Sequence, residues 1–315
     1  MKLLRINARL PQPRISRSLS DPLGSAMRVN RMDKEVKSRF SLVLRDVMAL
    51  FRTIPLMAIN ASSGEYYYDF SSSRAATFLD ELQSLLDRIL LEGDDFNQGQ
   101  MWASVHVSDA YQAGMQKANS ELSSLSSLYA DQRPIAAILY SEPYLNRLQL
   151  AYTAAYSDWK GLSDYSRQQL ASVIMEGIAR GANPRDIEVD IANRVDVSMS
   201  RARQIAQTEL TGSLRDANRR EVIEARETLG IQTIMLWMSA LKPTTRRTHA
   251  ARHGNFYTPE EIDTFYSEGG NRYNCYCAQT PALLMDGKPV ILESSQEKMD
   301  KARNAWEAAN KKKAA

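Results

Sequence analysis

Between Met27 and Leu229, in segments separated by turns and prolines, apolar residues return at every third or fourth position, and the last such segment ends at Gly230. Residues so spaced stack on one stripe of a helix, so this pattern restricts most of the chain to packed helices. Val36, Phe40, Val43, Leu44, Val47 and Leu50 predict a helix over 27–52. Phe78, Leu79, Leu82, Leu85, Leu86 and Ile89 predict another over 73–91, with Gly93 as its stop. Met101–Tyr129 reads as one long helix, because Leu122, Leu125 and Leu128 hold the spacing through a run of serines. Leu145–Trp159 follows after Pro134 and Pro143. Ser163 is placed to cap a helix ending at Gly181, and Pro184 to open a short one reaching Val195. Met199–Leu229 then reads as a long charged helix. Residues 60–72, with three successive tyrosines, read as a loop or a short strand.

Beyond Gly230 the texture changes. Ile231–Met238 alternates as a strand does, and Lys288–Leu292 reads as a second short strand paired with the first. Between them, Thr258-Pro259-Glu260-Glu261 is a capping box with proline in the first helical turn. The expected fold is therefore mainly α: an elongated helical body, then a small α+β C-terminal module with a short strand pair. The expected divisions are a basic extended arm at 1–26 and a helical body at 27–162. A third domain spans 163–292, made of a helical lead-in at 163–230 and the α+β module at 231–292. A charged helix or tail closes the chain at 293–315.

Hydrophobic residues make up 43% of the 315, enough to build a core. No apolar run approaches the roughly 20 residues needed to cross a bilayer. The net charge of +3 is unevenly placed. Lys2, Arg5, Arg9, Arg14, Arg17, Arg28 and Arg31 face a single acid, Asp21, within residues 1–32. Clustered cations of this kind neutralise phosphates, or dock on an acidic partner surface. The arm holds no aromatic residue, so base stacking is not implied.

Two of the three histidines and both cysteines fall between Trp237 and Pro281. His249 and His253 are one helical turn apart and so share a face. Cys275 and Cys277 share a face if that segment is extended. Facing each other, the four would form a closed N2S2 set for a structural zinc ion. The alternative is that both cysteines are small core residues and His249 bonds locally. A third reading makes Arg246 and His249 a phosphate-binding and proton-moving pair, with Glu209 close by. Against it stands an Arg246 that anchors a carboxylate such as Glu209 or Asp216. His106 stands alone in a helix. The chain lacks a Walker A sequence, a nucleophile elbow, an H-E-x-x-H pair and a dinucleotide fingerprint.

The order of residues here resembles a known family. A strand ending at Trp237, then Arg246-x-x-His249, the turn at Gly254, Asn274-Cys275-x-Cys277 and Pro281 resemble the phage Mu F-protein-like head morphogenesis family. Ile205-Ala206-Gln207-Thr208-Glu209 is similar to the family's helical lead-in, which commonly reads Ile-Ala-Arg-Thr-Glu. Gln207, Lys242, His253 and Tyr276 depart from the usual pattern. The resemblance covers roughly 163–285 and makes 163–292 a head morphogenesis domain. It implies a minor head protein of a tailed bacteriophage, placed in the head interior or at the portal vertex after assembly in the host cytoplasm. The implied partners are portal protein, major capsid or scaffold protein, and viral DNA. The alternative function is a metal- or Arg/His-dependent enzyme, a nuclease or transferase effector, carried in the head.

Overall fold

The computed structural model describes residues 10–60, 65–92 and 101–311. Lys2, Arg5, Arg9 and the stop expected at Gly93 lie outside them. Ten helices and six short strands occur among the described residues, so the chain is mainly α with a small C-terminal sheet. It divides into two compact units, each assembled from separated stretches.

One unit comprises residues 28–107 and 149–209. It takes most of α1 (Ala26–Phe51), all of α2 (Ser72–Leu90), and parts of α3 (Ser104–Leu125), α6 (Glu142–Ala179) and α7 (Pro184–Leu229). The apolar stripe read from sequence is its core: Val36, Phe40, Val43 and Val47 on α1, and Phe78, Leu82, Leu86 and Ile89 on α2, are buried. Trp102 packs edge-on against Trp159 at 4.8 Å, and the Arg39 guanidinium lies 4.4 Å over the Trp102 ring. His106 bonds Glu35 at 2.8 Å in the same unit. The tyrosine segment is a hairpin, β1 (Leu56–Asn60) with β2 (Glu65–Tyr68).

Three helix boundaries differ from the sequence reading. Leu145–Trp159 and Ser163–Gly181 are one helix, α6. Ser163 does not cap; its hydroxyl donates to Asp87 Oδ1 at 2.7 Å, so nothing competes with the helical backbone there. Pro184–Val195 and Met199–Leu229 are likewise one helix, α7, opening on the expected proline with Asn183 Oδ1 accepting from the Arg185 N–H. The predicted Met101–Tyr129 helix, by contrast, is broken. Ser126 is extended and its hydroxyl accepts from the Tyr129 N–H, which starts α4 (Ser127–Gln132). The break delivers Tyr129 and Arg133 to the buried Glu221 carboxylate, at 2.6 Å from the hydroxyl and 2.7 and 2.9 Å from the guanidinium.

The other unit comprises residues 1–27, 108–148 and 210–315. It holds α5 (Ile135–Leu139) and a four-stranded sheet of order β4–β3–β5–β6. The strand expected at Ile231–Met238 is β3 (Thr233–Met238). Its partners are β4 (Phe256–Tyr257) and β5 (Ala278–Met285), both antiparallel. The second expected strand, β6 (Lys288–Pro289), pairs with β5 and not with β3. Asp286 and Gly287 both have positive φ, making a two-residue turn that can only join neighbouring strands. Pro281 is tolerated in β5 because β6 pairs only with Leu284 and Met285, leaving that side of Pro281 without a ladder partner.

Helix α8 (Arg247–Ala250), α9 (Pro259–Ser267) and α10 (Glu293–Lys311) complete this unit, and α9 begins with the predicted capping box. Residues 10–25 of the N-terminal arm form no helix or strand, and part of the segment is packed. Leu23 and Ser25 are buried, the Leu241 N–H donates to the Leu19 carbonyl at 2.9 Å, and Asp21 accepts from the N–H groups opening α1.

Gly114 on α3 has no room for a side chain: an added Cβ would lie 2.3 Å from the Leu214 carbonyl oxygen and 3.0 Å from the Ala217 Cβ on α7. Gly212 has open space. Gly114→Ala is expected to destabilise this unit by about 1–3 kcal/mol through overpacking, whereas Gly212→Ala should stabilise it by about 0.5–1 kcal/mol. Urea denaturation of the two variants side by side checks the contrast in sign.

Candidate metal centre in the C-terminal module

Trp237 is fully buried on β3, and the site is built around its ring. Tyr266 of α9 stacks on it at 5.3 Å, and Phe265 meets it edge-on at 5.2 Å. Arg252 covers the rings, 3.9 Å from the Phe265 centroid and 4.4 Å from that of Tyr257. Such cation–π contacts are worth about 2 kcal/mol when desolvated. The indole N–H donates to Ser239 Oγ at 3.1 Å, and the Ser239 hydroxyl donates onward to the His249 carbonyl. The strand therefore holds the short helix α8 in place through one tryptophan and one serine.

His249 faces inward from α8. Its Nδ1 lies 3.4 Å from Cys275 Sγ and 3.6 Å from Cys277 Sγ. All three residues are buried, and their donor atoms lie within 4.8 Å of one another. Cluster chemistry of this kind, one imidazole and two thiols, could hold a metal ion. The cysteines do not lie on a strand, since β5 starts one residue after Cys277. Their convergence comes from the loop before β5, where Gly269, Gly270 and Asn274 all take positive φ.

Arg246 shapes that loop. Its guanidinium donates to the carbonyls of Gly270, Asn271 and Tyr273 at 3.1, 2.8 and 3.0 Å. The expectation that it anchors Glu209 or Asp216 is thus replaced by a fork on three backbone oxygens. The loop in turn supplies Asn271, whose Oδ1 lies 3.3 Å from His249 Nε2. Asn271 Nδ2 donates to the Phe265 carbonyl at 2.9 Å, so the amide can present only its oxygen to the imidazole. The imidazole proton therefore sits on Nε2, and the Nδ1 lone pair faces the two sulfurs.

The electrostatics favour a thiolate. A hydrogen bond from the Cys277 thiol, then the nearby Arg215 cation, hold Cys275 well below the usual thiol range despite burial. The same bond, with burial, pushes Cys277 up. Arg215 is itself buried; it donates to the Cys275 carbonyl at 2.6 Å and lies 4.5 Å over the Tyr266 ring. Tyr266 Oη accepts from Gln279 Nε2 at 3.1 Å, leaving its own proton to point at Cys275 Sγ, 3.6 Å away.

His253, the fourth member of the expected N2S2 set, is held elsewhere. Its Nδ1 accepts from the Ser239 N–H at 3.0 Å, and its carbonyl accepts from Arg303 at 2.6 Å. Gly254 follows with φ +83°, a conformation that strains any side chain, and a Cβ there would also sit tightly against α10, 3.2 Å from the Met299 Cβ. Thr208 and Glu209 belong to the other unit, where Glu209 accepts from the Trp159 indole at 3.3 Å. Of the basic residues, Arg14 donates to Ser120 at 2.7 Å, Arg17 is exposed, and Arg28 and Arg31 lie on α1. Asn271, Arg215, Tyr266, Gln279 and Ser239 are site residues that sequence reasoning misses. Only the Gly269-Gly270 turn just before Asn271 marks any of them.

Burial, and then the Arg303 cation, lower the His253 pKa from 6.5 to about 4, while Asp300 opposes them. The folded state therefore binds fewer protons than the unfolded chain between these values. This stability is complete above about pH 6.5 and is lost as pH falls toward 4; a shift of this size corresponds to roughly 3 kcal/mol. His253→Asn keeps an acceptor for the Ser239 N–H but cannot titrate. Urea melts of both proteins from pH 7.5 to 4.5, followed by tryptophan fluorescence, should show their stability difference shrinking as pH falls.

An uncharacterized protein of Haemophilus influenzae is 20% identical over 285 residues, covering 88% of this chain. The chain spans 60% of that relative's length. No solved structure matches the chain. A family model described as Phage Mu protein F like protein matches residues 168–280. That segment contains all the motif residues from Thr208 to Cys277, including the three donors of the buried cluster. Over residues 168–280 this chain matches the phage Mu protein F like family, the family that the motifs from Thr208 to Cys277 resemble.

Proposed function

We propose that this chain is a minor head protein of a tailed bacteriophage, acting in procapsid assembly and head morphogenesis. The match of residues 168–280 to the phage Mu protein F like family carries this reading. It works by binding, with portal protein and major capsid or scaffold protein as partners, in the head interior or at the portal vertex. The state of the most reactive groups supports binding over turnover. His249, Cys275 and Cys277 are only 2–3% exposed beneath aromatic rings, and the Arg246 fork is already taken by three carbonyls. The cofactor suited to such a role is a zinc ion at the buried cluster.

Mass spectrometry of purified procapsids and virions tests the assignment. The protein is expected in both, at far below the copy number of the major capsid protein. Its absence from both particles overturns the reading.

Contact with packaged DNA is proposed for the basic N-terminal residues. Duplex binding should weaken several-fold or more when salt rises from about 50 to 200 mM. Reversing Lys2, Arg5, Arg9 and Arg17 to Glu should weaken it further. These changes leave the packed residues Leu23 and Ser25 in place, so lost binding is separable from lost folding. An affinity indifferent to both salt and charge reversal would remove DNA from the partners.

A further inference from the structure

We propose that His249 Nδ1, Cys275 Sγ and Cys277 Sγ bind one zinc ion, with both sulfurs as thiolates and without His253. The inference rests on the geometry of the cluster and not on a role in a phage head.

The distances carry it first. Zinc holds sulfur at about 2.3 Å and imidazole nitrogen at about 2.0–2.1 Å in a tetrahedral site. Those lengths and a tetrahedral angle put nitrogen and sulfur about 3.5 Å apart. The two N···S separations here are 3.4 and 3.6 Å, one on each side of that value. A relay of thiol hydrogen bonds, Cys277 to Cys275 to His249, would need only the first of them. It gives no reason for the second sulfur to sit at the same nitrogen.

The surroundings of the donors carry it further. A metal-bound histidine normally donates its other ring N–H to an oxygen, which fixes tautomer and ring direction. Asn271 provides that oxygen, with its own orientation set by the Phe265 carbonyl. An amide so constrained, placed behind a buried imidazole whose lone pair faces two sulfurs, is the arrangement a soft cation requires. Arg215 adds a buried positive charge beside the sulfurs, and among the described residues no carboxylate forms an ion pair with it. That charge lowers the cost of deprotonating the thiols, which metal binding demands.

The ion would join three pieces of chain that share no hydrogen-bonded ladder: α8, the loop after α9, and the entry to β5. No further His, Cys, Asp or Glu donor joins the cluster among the described residues. The fourth coordination position therefore falls to a water molecule or another small ligand. His253 cannot supply it while its Nδ1 accepts from Ser239.

The test uses the full chain, expressed with zinc in the medium and purified without chelator. Elemental analysis should find one zinc per chain. Replacement by cobalt should give thiolate-to-cobalt charge-transfer absorption in the near ultraviolet. Cys275→Ser and Cys277→Ser should each lose the metal, and His253→Asn should keep it. Asn271→Ala should weaken zinc binding by about 10–100-fold, as loss of an outer hydrogen bond to a ligand does. Because a cysteine variant could fail to fold, the cobalt spectrum of the unsubstituted protein stands as an independent reading. Well under one zinc per chain with two free thiols counted after unfolding, a recovered Cys275–Cys277 disulfide, or zinc that survives both serine substitutions would each overturn the proposal. Loss of zinc from a folded His253→Asn variant would overturn the three-donor assignment in the same way.

Discussion

Trp237 has to be buried, and the C-terminal module is arranged around the consequences. A tryptophan brings a large apolar surface and one N–H that needs an acceptor. Tyr266, Phe265 and Tyr257 supply the surface, and Ser239 supplies the acceptor. Ser239 then hands its own proton to the His249 carbonyl and its backbone N–H to His253. Two residues after the tryptophan, a single serine therefore sets the position of both histidines. The packing and the polar cluster are one construction: moving the indole would move the imidazole that the cysteines face.

The second device is a backbone cradle. Short modules often lack enough regular structure to satisfy their own carbonyls, and buried or half-buried ones are costly when left alone. Here a loop with three positive-φ residues, itself outside any helix or strand, is tied to one guanidinium through three oxygens. A planar fork suits this task in a way that a lysine point charge does not. Arg246 thus acts on the cluster at one remove, by shaping the loop that presents Asn271 and then Cys275. The same logic recurs at α10, where Arg303, Gln296 and Trp306 bond the carbonyls of His253, Gly254 and Lys242. The C-terminal helix is a strap over the turn that follows α8.

The unit formed by residues 28–107 and 149–209 is held together chiefly by ordinary burial of apolar helix faces. Polar contacts there are set pieces within that packing. The Glu209 carboxylate takes the Trp159 indole proton, and Asp87 takes the Ser163 hydroxyl, so two residues that read as helix punctuation or as a motif end are interior anchors. The motif residue Glu209 is buried here along with the apolar helix faces.

The amino-acid sequence by itself determined what depends on near neighbours. The helical stripes of α1 and α2, the capping box of α9, the proline opening α7 and the stop at Gly230 were all legible, because each follows from spacing or from local backbone chemistry. The family resemblance was legible for a related reason: it rests on the order of residues along one stretch. Continuity was not. Whether Ser163 caps a helix or Ser126 breaks one depends on which partner the hydroxyl takes, the distant Asp87 in the first case and the nearby Tyr129 N–H in the second. The pairing of the second short strand was not legible from alternation either, although the Asp286-Gly287 turn carries a local signal for β5 with β6. Within the cluster, types of donor could be read but not their partners. Helical spacing put His249 and His253 on one face, yet Ser239 claims His253 and Asn271 orients His249. Those choices are made by groups ten to twenty-two positions away, and only the closed tertiary structure brings them within hydrogen-bonding distance.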